Sequence, residues 1–188
     1  MKKILLTGHT SGLGKALYDF YSPNHDVIGI SRSTGYDLTS EDTVRAIADQ
    51  AMTCDVVLNV AKVQPAQNLL LLKVIKQWKE NNHCGHIISI GSIGTNFNRD
   101  TFNDWLDAEA LDYLAHKKEL ENIHNDLAYT HPFNKQPRST LIKPFNIGAK
   151  EGDRSNEPYC SQADIVELVD MCINSRYWIS TLEVRQTW

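Results

Sequence analysis

The chain has 188 residues, 41% of them hydrophobic and 22% charged, the balance of an ordinary globular domain rather than a disordered or fibrous one. Nineteen Lys and Arg stand against 23 Asp and Glu, for a net charge of −4. That acidic balance argues against charge-driven nucleic-acid binding, and the expectation is one domain over residues 1–188 with no nucleic-acid partner.

The chain opens with Lys2 and Lys3 before a short apolar run that stops at Leu6. A secretory leader needs about 7–15 apolar residues there, so the run is expected to be a strand. Leu69 to Leu72 is the longest later run, far short of a membrane span. The cysteines, Cys54, Cys84, Cys160 and Cys172, form no CxxC pair, and isolated thiols fit a reducing compartment, so a cytoplasmic protein with no membrane contact and no metal is expected. His83-Cys84-Gly85-His86 reads more simply as a loop before a strand than as a ligand set.

Taken in order, apolar strand patterns at Lys3–Thr7, Asp26–Ser31, Asp55–Val60, His86–Ile90, Ser139–Lys143 and Trp178–Val184 alternate with helical patterns near 12–21, 41–52, 66–81, 102–129 and 162–174. Ser40 and Ser161 are N-cap signals. Most strands are apolar on both faces, as strands between two helix layers must be. The alternation predicts an α/β fold, a doubly wound parallel sheet with helices on both faces, Rossmann-like, with its ligand at the carboxyl ends of the strands.

The first strand runs into Thr7-Gly8-His9-Thr10-Ser11-Gly12-Leu13-Gly14-Lys15. Glycines at 8, 12 and 14 suit a tight strand-to-helix turn, and the helix N-terminus offers free N–H groups to a pyrophosphate. A P-loop is discounted, because Gly14-Lys15 is followed by Ala16 and His9 stands where the earlier glycine is needed. The second strand ends in Ser31-Arg32-Ser33, without the acid that binds the ribose 2′-hydroxyl of NAD. Arg32, with the serine hydroxyls, can hold a 2′-phosphate, which favours NADP over NAD.

Thr7 to Gly14 resembles the glycine motif of the short-chain dehydrogenase/reductase family, and matching segments follow in the family's order. Asp37-Leu38 looks like the acidic position beside the adenine ring. Asn59-Val60-Ala61 looks like the segment after the central strand. Ile88-Ser89-Ile90-Gly91-Ser92 resembles the strand that ends in the catalytic serine, and Tyr113-Leu114-Ala115-His116-Lys117 the Tyr-x-x-x-Lys signature. Pro144 and Ile147 fall in a segment like the one bordering the nicotinamide. The resemblance implies a carbonyl–alcohol oxidoreductase acting on a small molecule, with Ser92, Tyr113 and Lys117 catalytic and Asn68 the candidate fourth member. It also implies cofactor contacts from Gly8, Thr10, Ser11, Gly12, Leu13, Gly14, Ser31, Arg32, Asp37, Leu38, Asn59, Val60, Ala61, Lys117, Pro144 and Ile147.

Tyr113 and Lys117 are i and i+4 on a helix and share a face. A lysine ammonium beside a tyrosine favours the phenolate, so Lys117 is expected to lower the Tyr113 pKa. The resemblance has departures. The chain between Ser31 and Asp37 is too short for a full crossover, so a shortened sheet is expected. Lys62 replaces a glycine, Ala149 a threonine and His116 a serine. The Thr95–Asp112 insertion carries Phe97, Phe102 and Trp105, and the lid segment Gly148–Cys160 is short. Two other readings remain: a non-enzymatic NADP(H) sensor, and a sugar-nucleotide reductase or epimerase. Leu106, Leu111, Leu120, Ile123 and Leu127 on the long helix are available for a homodimer or homotetramer.

Overall fold

A computed structural model describes residues 1–96, 106–130, 137–145, 147 and 160–185. Phe97, Phe102, Trp105, Ala149 and most of Gly148–Cys160 therefore lie outside the described residues. Six parallel strands form one sheet: β1 (Lys3–Thr7), β2 (Asp26–Ile30), β3 (Val56–Asn59), β4 (His86–Ile90), β5 (Arg138–Pro144) and β6 (Thr181–Val184). Among the described residues five α-helices accompany them: α1 (Gly12–Tyr21), α2 (Glu41–Ala51), α3 (Ala66–Glu80), α4 (Ala108–Thr130) and α5 (Gln162–Asn174). The expected elements are all present. The last strand begins only at Thr181, because Trp178 instead packs across β5 and donates its indole N–H to Ser139 O at 2.8 Å.

The side-chain period of two along each strand divides the core. Ile4 and Leu6 of β1, Leu58 of β3 and Ile88 of β4 pack with Leu13 and Leu17 of α1 and Ile165 and Val169 of α5. Leu5, Val57, Ile87 and Leu141 point the other way, into a cluster with Val44 and Ile47 of α2, Leu70 and Val74 of α3 and Leu120 of α4. Leu120 is fully buried there, and Ile123 and Leu127 pack against the same cluster, so three of the five residues of the expected oligomer stripe belong to the core. Two helix starts are fixed by local caps. Ser40 Oγ accepts from Thr43 N, with Glu41 and Asp42 in the first turn of α2, and Ser161 and Asp164 form a reciprocal capping box on α5.

Strand order is β2-β1-β3-β4-β5-β6. A doubly wound sheet commonly carries one further strand outside β2. Here the chain leaves β2 through a 3-10 turn at Arg32–Thr34, reverses at Gly35 (φ 87°) and enters α2 without making that strand. β2 is therefore an edge, as the short Ser31–Asp37 stretch predicts. The winding direction reverses between β1 and β3, where a crevice opens at the carboxyl ends of the strands. No helix among the described residues is long and apolar enough to cross a membrane.

Candidate active site

The crevice is bolted at its base by Thr7. This buried hydroxyl, at the end of β1, accepts from Val60 N at 2.9 Å and Ala61 N at 3.1 Å, tying the turn after β3 to β1. Gly8 follows with φ 78°, and a Cβ there would press on Ala61 at 3.2 Å. Gly14, in the first turn of α1, is tighter still: a Cβ would stand 2.0 Å from Gly8 O. The two glycines let helix, turn and strand ends converge, and α1 then presents its N-terminus with no acidic residue in its first turn.

A cleft of about 930 Å³ runs across these strand ends. Gly8, Thr10, Ser11, Leu13 and Gly14 line its middle; Ser31, Arg32, Ser33, Asp37 and Leu38 line one arm. Val60, Ala61, Ile90, Tyr113, Lys117 and Ile147 line the other. The carboxylate-free helix end and the glycine cradle, from which a Cβ is excluded, fit a pyrophosphate, and the two arms give a dinucleotide room on either side. Three expected contacts fall outside this lining. Gly12 sits on the turn with φ 53° but away from the cleft, and Pro144 is buried at the end of β5. Asn59 is 1% exposed and turned into the protein, its amide donating to Gln67 O at 2.9 Å. Sequence reading missed Tyr36 and Val63, which also line the cleft together with Thr39 and with Lys62, the lysine that stands in place of a glycine.

The arm at β2 is ordered by its own hydroxyls. Ser31 and Ser33 share a hydrogen bond at 2.8 Å, and Thr34 Oγ accepts from Ser31 N at 3.0 Å. Asp37 is held below the usual carboxylate range by hydrogen bonds from Thr39 N and Oγ, with a smaller contribution from Arg32.

At the other end α4 brings Tyr113 and Lys117 to the cleft, and the turn after β4 brings Ser92 to Tyr113. Burial raises the Tyr113 pKa, opposed by a hydrogen bond with Ser92. This corrects the expectation that Lys117 pulls it down. Lys117 is 4% exposed, its Nζ is 5.5 Å from the centre of the Tyr113 ring, and it donates inward to Gln67 Oε1 at 2.7 Å and Ile90 O at 2.6 Å. Burial, and then the charge of Lys62, bring Lys117 down to about 7. The Asn68 expectation is corrected too. Its amide donates to His116 O at 3.2 Å and Glu119 Oε2 at 2.7 Å, away from Lys117, and the neighbouring Gln67 makes the contact instead. Gln67 also donates to Asn59 O at 2.9 Å and Ile90 O at 3.3 Å, so one side chain joins β3, β4 and the lysine of α4. His116 lies along α4 between Asp112 and Glu119. A second hollow, of about 600 Å³, adjoins Tyr113 and is bordered by Lys62, Gln64, Asp107, Glu109 and Asp112.

The six-stranded doubly wound sheet with a glycine turn after β1 is a fold shared with solved short-chain dehydrogenases and oxidoreductases. Solved structures agree on the fold. The chain is similar to 4-hydroxyisoleucine dehydrogenase complexed with NADH, with a TM-score of 0.77, 18% identity, and 98% of this chain and 97% of that one covered. It is similar to a metagenomic short-chain oxidoreductase in complex with NADP at a TM-score of 0.68 and 20% identity, covering 100% and 98% of the two chains. A putative betaketoacyl-ACP reductase matches at a TM-score of 0.73 and 17% identity, over 98% and 96%. No family model and no curated protein matches the sequence.

Proposed function

We propose that the protein is a short-chain dehydrogenase/reductase that interconverts a carbonyl and an alcohol on a small molecule, using NADP(H) in preference to NAD(H). The observation that carries this reading is that Tyr113 and Lys117 line one end of a glycine-cradled cleft, with Ser92, outside that lining, hydrogen-bonded to Tyr113. The turn from Gly8 to Gly14 and the N-terminus of α1 would hold the pyrophosphate. Arg32, with Ser31 and Ser33, would pair with a 2′-phosphate, and Asp37, the carboxylate of that arm, is engaged by Thr39 N and Oγ. Structural neighbours include proteins complexed with NADH and with NADP, so the preference rests on Arg32.

The bound dinucleotide supplies or accepts the hydride. Tyr113 gives or takes the proton at the substrate oxygen, and Ser92 donates a hydrogen bond to that oxygen. Lys117, held by Gln67 and Ile90 O, has its pKa brought down to about 7 by burial and Lys62, so the charge beside the Tyr113 ring changes near neutral pH.

The test combines binding and turnover. NADP is expected to raise the melting temperature more than NAD, and Arg32→Ala to lose the difference, a change of about tenfold or more in relative affinity. NADPH oxidation against a panel of ketones and aldehydes should fall by on the order of 10²–10⁴ in Tyr113→Phe. Dinucleotide binding with no turnover of any carbonyl or alcohol would overturn the enzymatic reading and favour a sensor.

A further inference from the structure

The turn that carries Ser92 is tied to the helix that carries Tyr113. Ser92 Oγ accepts from Gly94 N at 3.1 Å, which leaves its own proton free. The Thr95 hydroxyl sits 2.9 Å from Ser92 O and 2.5 Å from Glu121 Oε2, its one proton shared toward the carboxylate. Glu121 follows Lys117 by four residues and Tyr113 by eight, so all three stand on one face of α4. Its other oxygen accepts from Lys143 Nζ at 2.9 Å. Lys143, on β5, is 1% exposed and also reaches Glu183 of β6 at 3.0 Å and the Asn96 side-chain oxygen. Asn96 Nδ2 in turn donates to Glu183 at 2.6 Å.

Burial would raise the Glu121 pKa, but the hydrogen bonds from Thr95 and Lys143 and the charges of Lys143 and Lys118 outweigh it, and its carboxyl is held below the usual range. The groups facing it are thus Thr95 from the turn, Lys143 from β5 and Lys118 from α4, with Glu183 of β6 beyond Lys143. None of these residues lines the dinucleotide cleft. A buried lysine with two carboxylates is costly unless every partner is placed, so the network is built for geometry more than for stability.

We propose that Glu121 is a positioning residue: through Thr95 it holds the Ser92 turn against α4, so that the Ser92 and Tyr113 hydroxyls stay in hydrogen-bonding register. The proposal rests on Ser92, Tyr113 and Lys117 being the proton-transfer site. Ser92 arrives from the sheet and Tyr113 from a helix, and proton transfer tolerates little error between them. A displacement of about 1 Å costs up to roughly a hundredfold in rate.

The experiment uses the full chain with NADPH and compares Thr95→Val, Glu121→Gln, their double variant and Thr95→Ser. Thr95→Val keeps the shape and loses only the hydroxyl, so it serves even where Glu121→Gln folds poorly. Thr95→Val and Glu121→Gln are each expected to lower kcat roughly 10- to 100-fold with dinucleotide affinity unchanged. Thr95→Ser should stay near wild type, and the double variant should be no slower than the slower single. A second readout needs no substrate: ultraviolet titration of Tyr113, taken as the difference from Tyr113→Phe. In Thr95→Val the phenolate should appear at higher pH, because the Ser92 hydrogen bond that favours it is lost. Rates that multiply in the double variant, or an unmoved titration, would overturn the tie. A moved titration with no turnover of any substrate would uphold the tie and sink the oxidoreductase reading instead.

Discussion

Lys62 Nζ stands 4.6 Å from the centre of the Tyr113 ring, nearer than Lys117 Nζ at 5.5 Å. A second ammonium close to a buried lysine penalises its charged form, and Lys62 adds to burial in bringing Lys117 down to about 7. Lys62→Met should therefore move the Lys117 titration to higher pH. It should stay well below the ordinary lysine value near 10.4, because burial is the larger cause and is untouched. The check is the pH dependence of kcat, whose step assigned to Lys117 should shift upward. A profile identical to wild type would mean that the Lys62 charge is screened from Lys117.

Gln67 and Asn68 are neighbours on α3 with different tasks, and paired substitutions separate them. Gln67→Ala removes an acceptor of Lys117 Nζ and the donor to Asn59 O and Ile90 O. The loss should be about 1–3 kcal/mol of stability, with kcat reduced, because a buried ammonium is left short of a partner. Gln67→Glu sets a carboxylate beside that ammonium and should raise the Lys117 pKa. Asn68→Ala breaks only bonds to His116 O and Glu119, so it should cost stability of similar size while leaving the pH profile in place. Denaturant melts and pH–rate curves of the three variants decide the assignment.

The contrast between these two residues marks how far sequence reading reached. Strand and helix positions were legible because apolar runs and the caps at Ser40 and Ser161 act locally. Tyr113 and Lys117 were legible through their i, i+4 spacing. Adjacent residues on a helix point about 100° apart, so Asn68 and Gln67 differ by one step of phase that sequence does not fix. Asn59 likewise reads as a cleft residue, yet the turn at the end of β3 directs its amide to Gln67. Nothing in the sequence links Lys143, Glu121 and Thr95; only the meeting of β5, β6, α4 and the turn after β4 makes them a network. The Tyr113 expectation failed because burial raises its pKa while the Lys117 ammonium is bonded away from the phenol.

Two buried histidines make stability depend on acid. His86 on β4 and His124 on α4 are both brought to about 3 by burial, well under the ordinary value of 6.5. The unfolded chain therefore binds more protons than the folded one between those values. The stabilisation is complete above pH 6.5 and is lost as pH falls toward 3, by on the order of a few kcal/mol across the window. Neither ring nitrogen of His124 has a hydrogen-bond partner among the described residues. His124→Leu should stay within about 1 kcal/mol of wild type at pH 7.5 and flatten the acid slope. Urea unfolding at a series of pH values measures both; an unchanged slope would place the acid sensitivity elsewhere.

Gly14 offers the sharpest test of the cradle. A Cβ at Gly14 would lie 2.0 Å from Gly8 O and 2.6 Å from Gly8 C, both backbone atoms that no side-chain rotation can move aside. Gly14→Ala must therefore open the contact between α1 and the turn, at a cost of about 1–3 kcal/mol or more. It should also abolish dinucleotide binding, since the helix N-terminus is displaced from the phosphate position. Gly12→Ala is the control. Nothing lies within 4 Å of its would-be Cβ, and the strain comes only from a φ of 53°. That costs about 1–2 kcal/mol and leaves the cleft intact, so NADP should still raise the melting temperature of a protein that melts somewhat earlier. A Gly14→Ala protein that binds NADP as tightly as wild type would mean that the ligand does not sit on this turn.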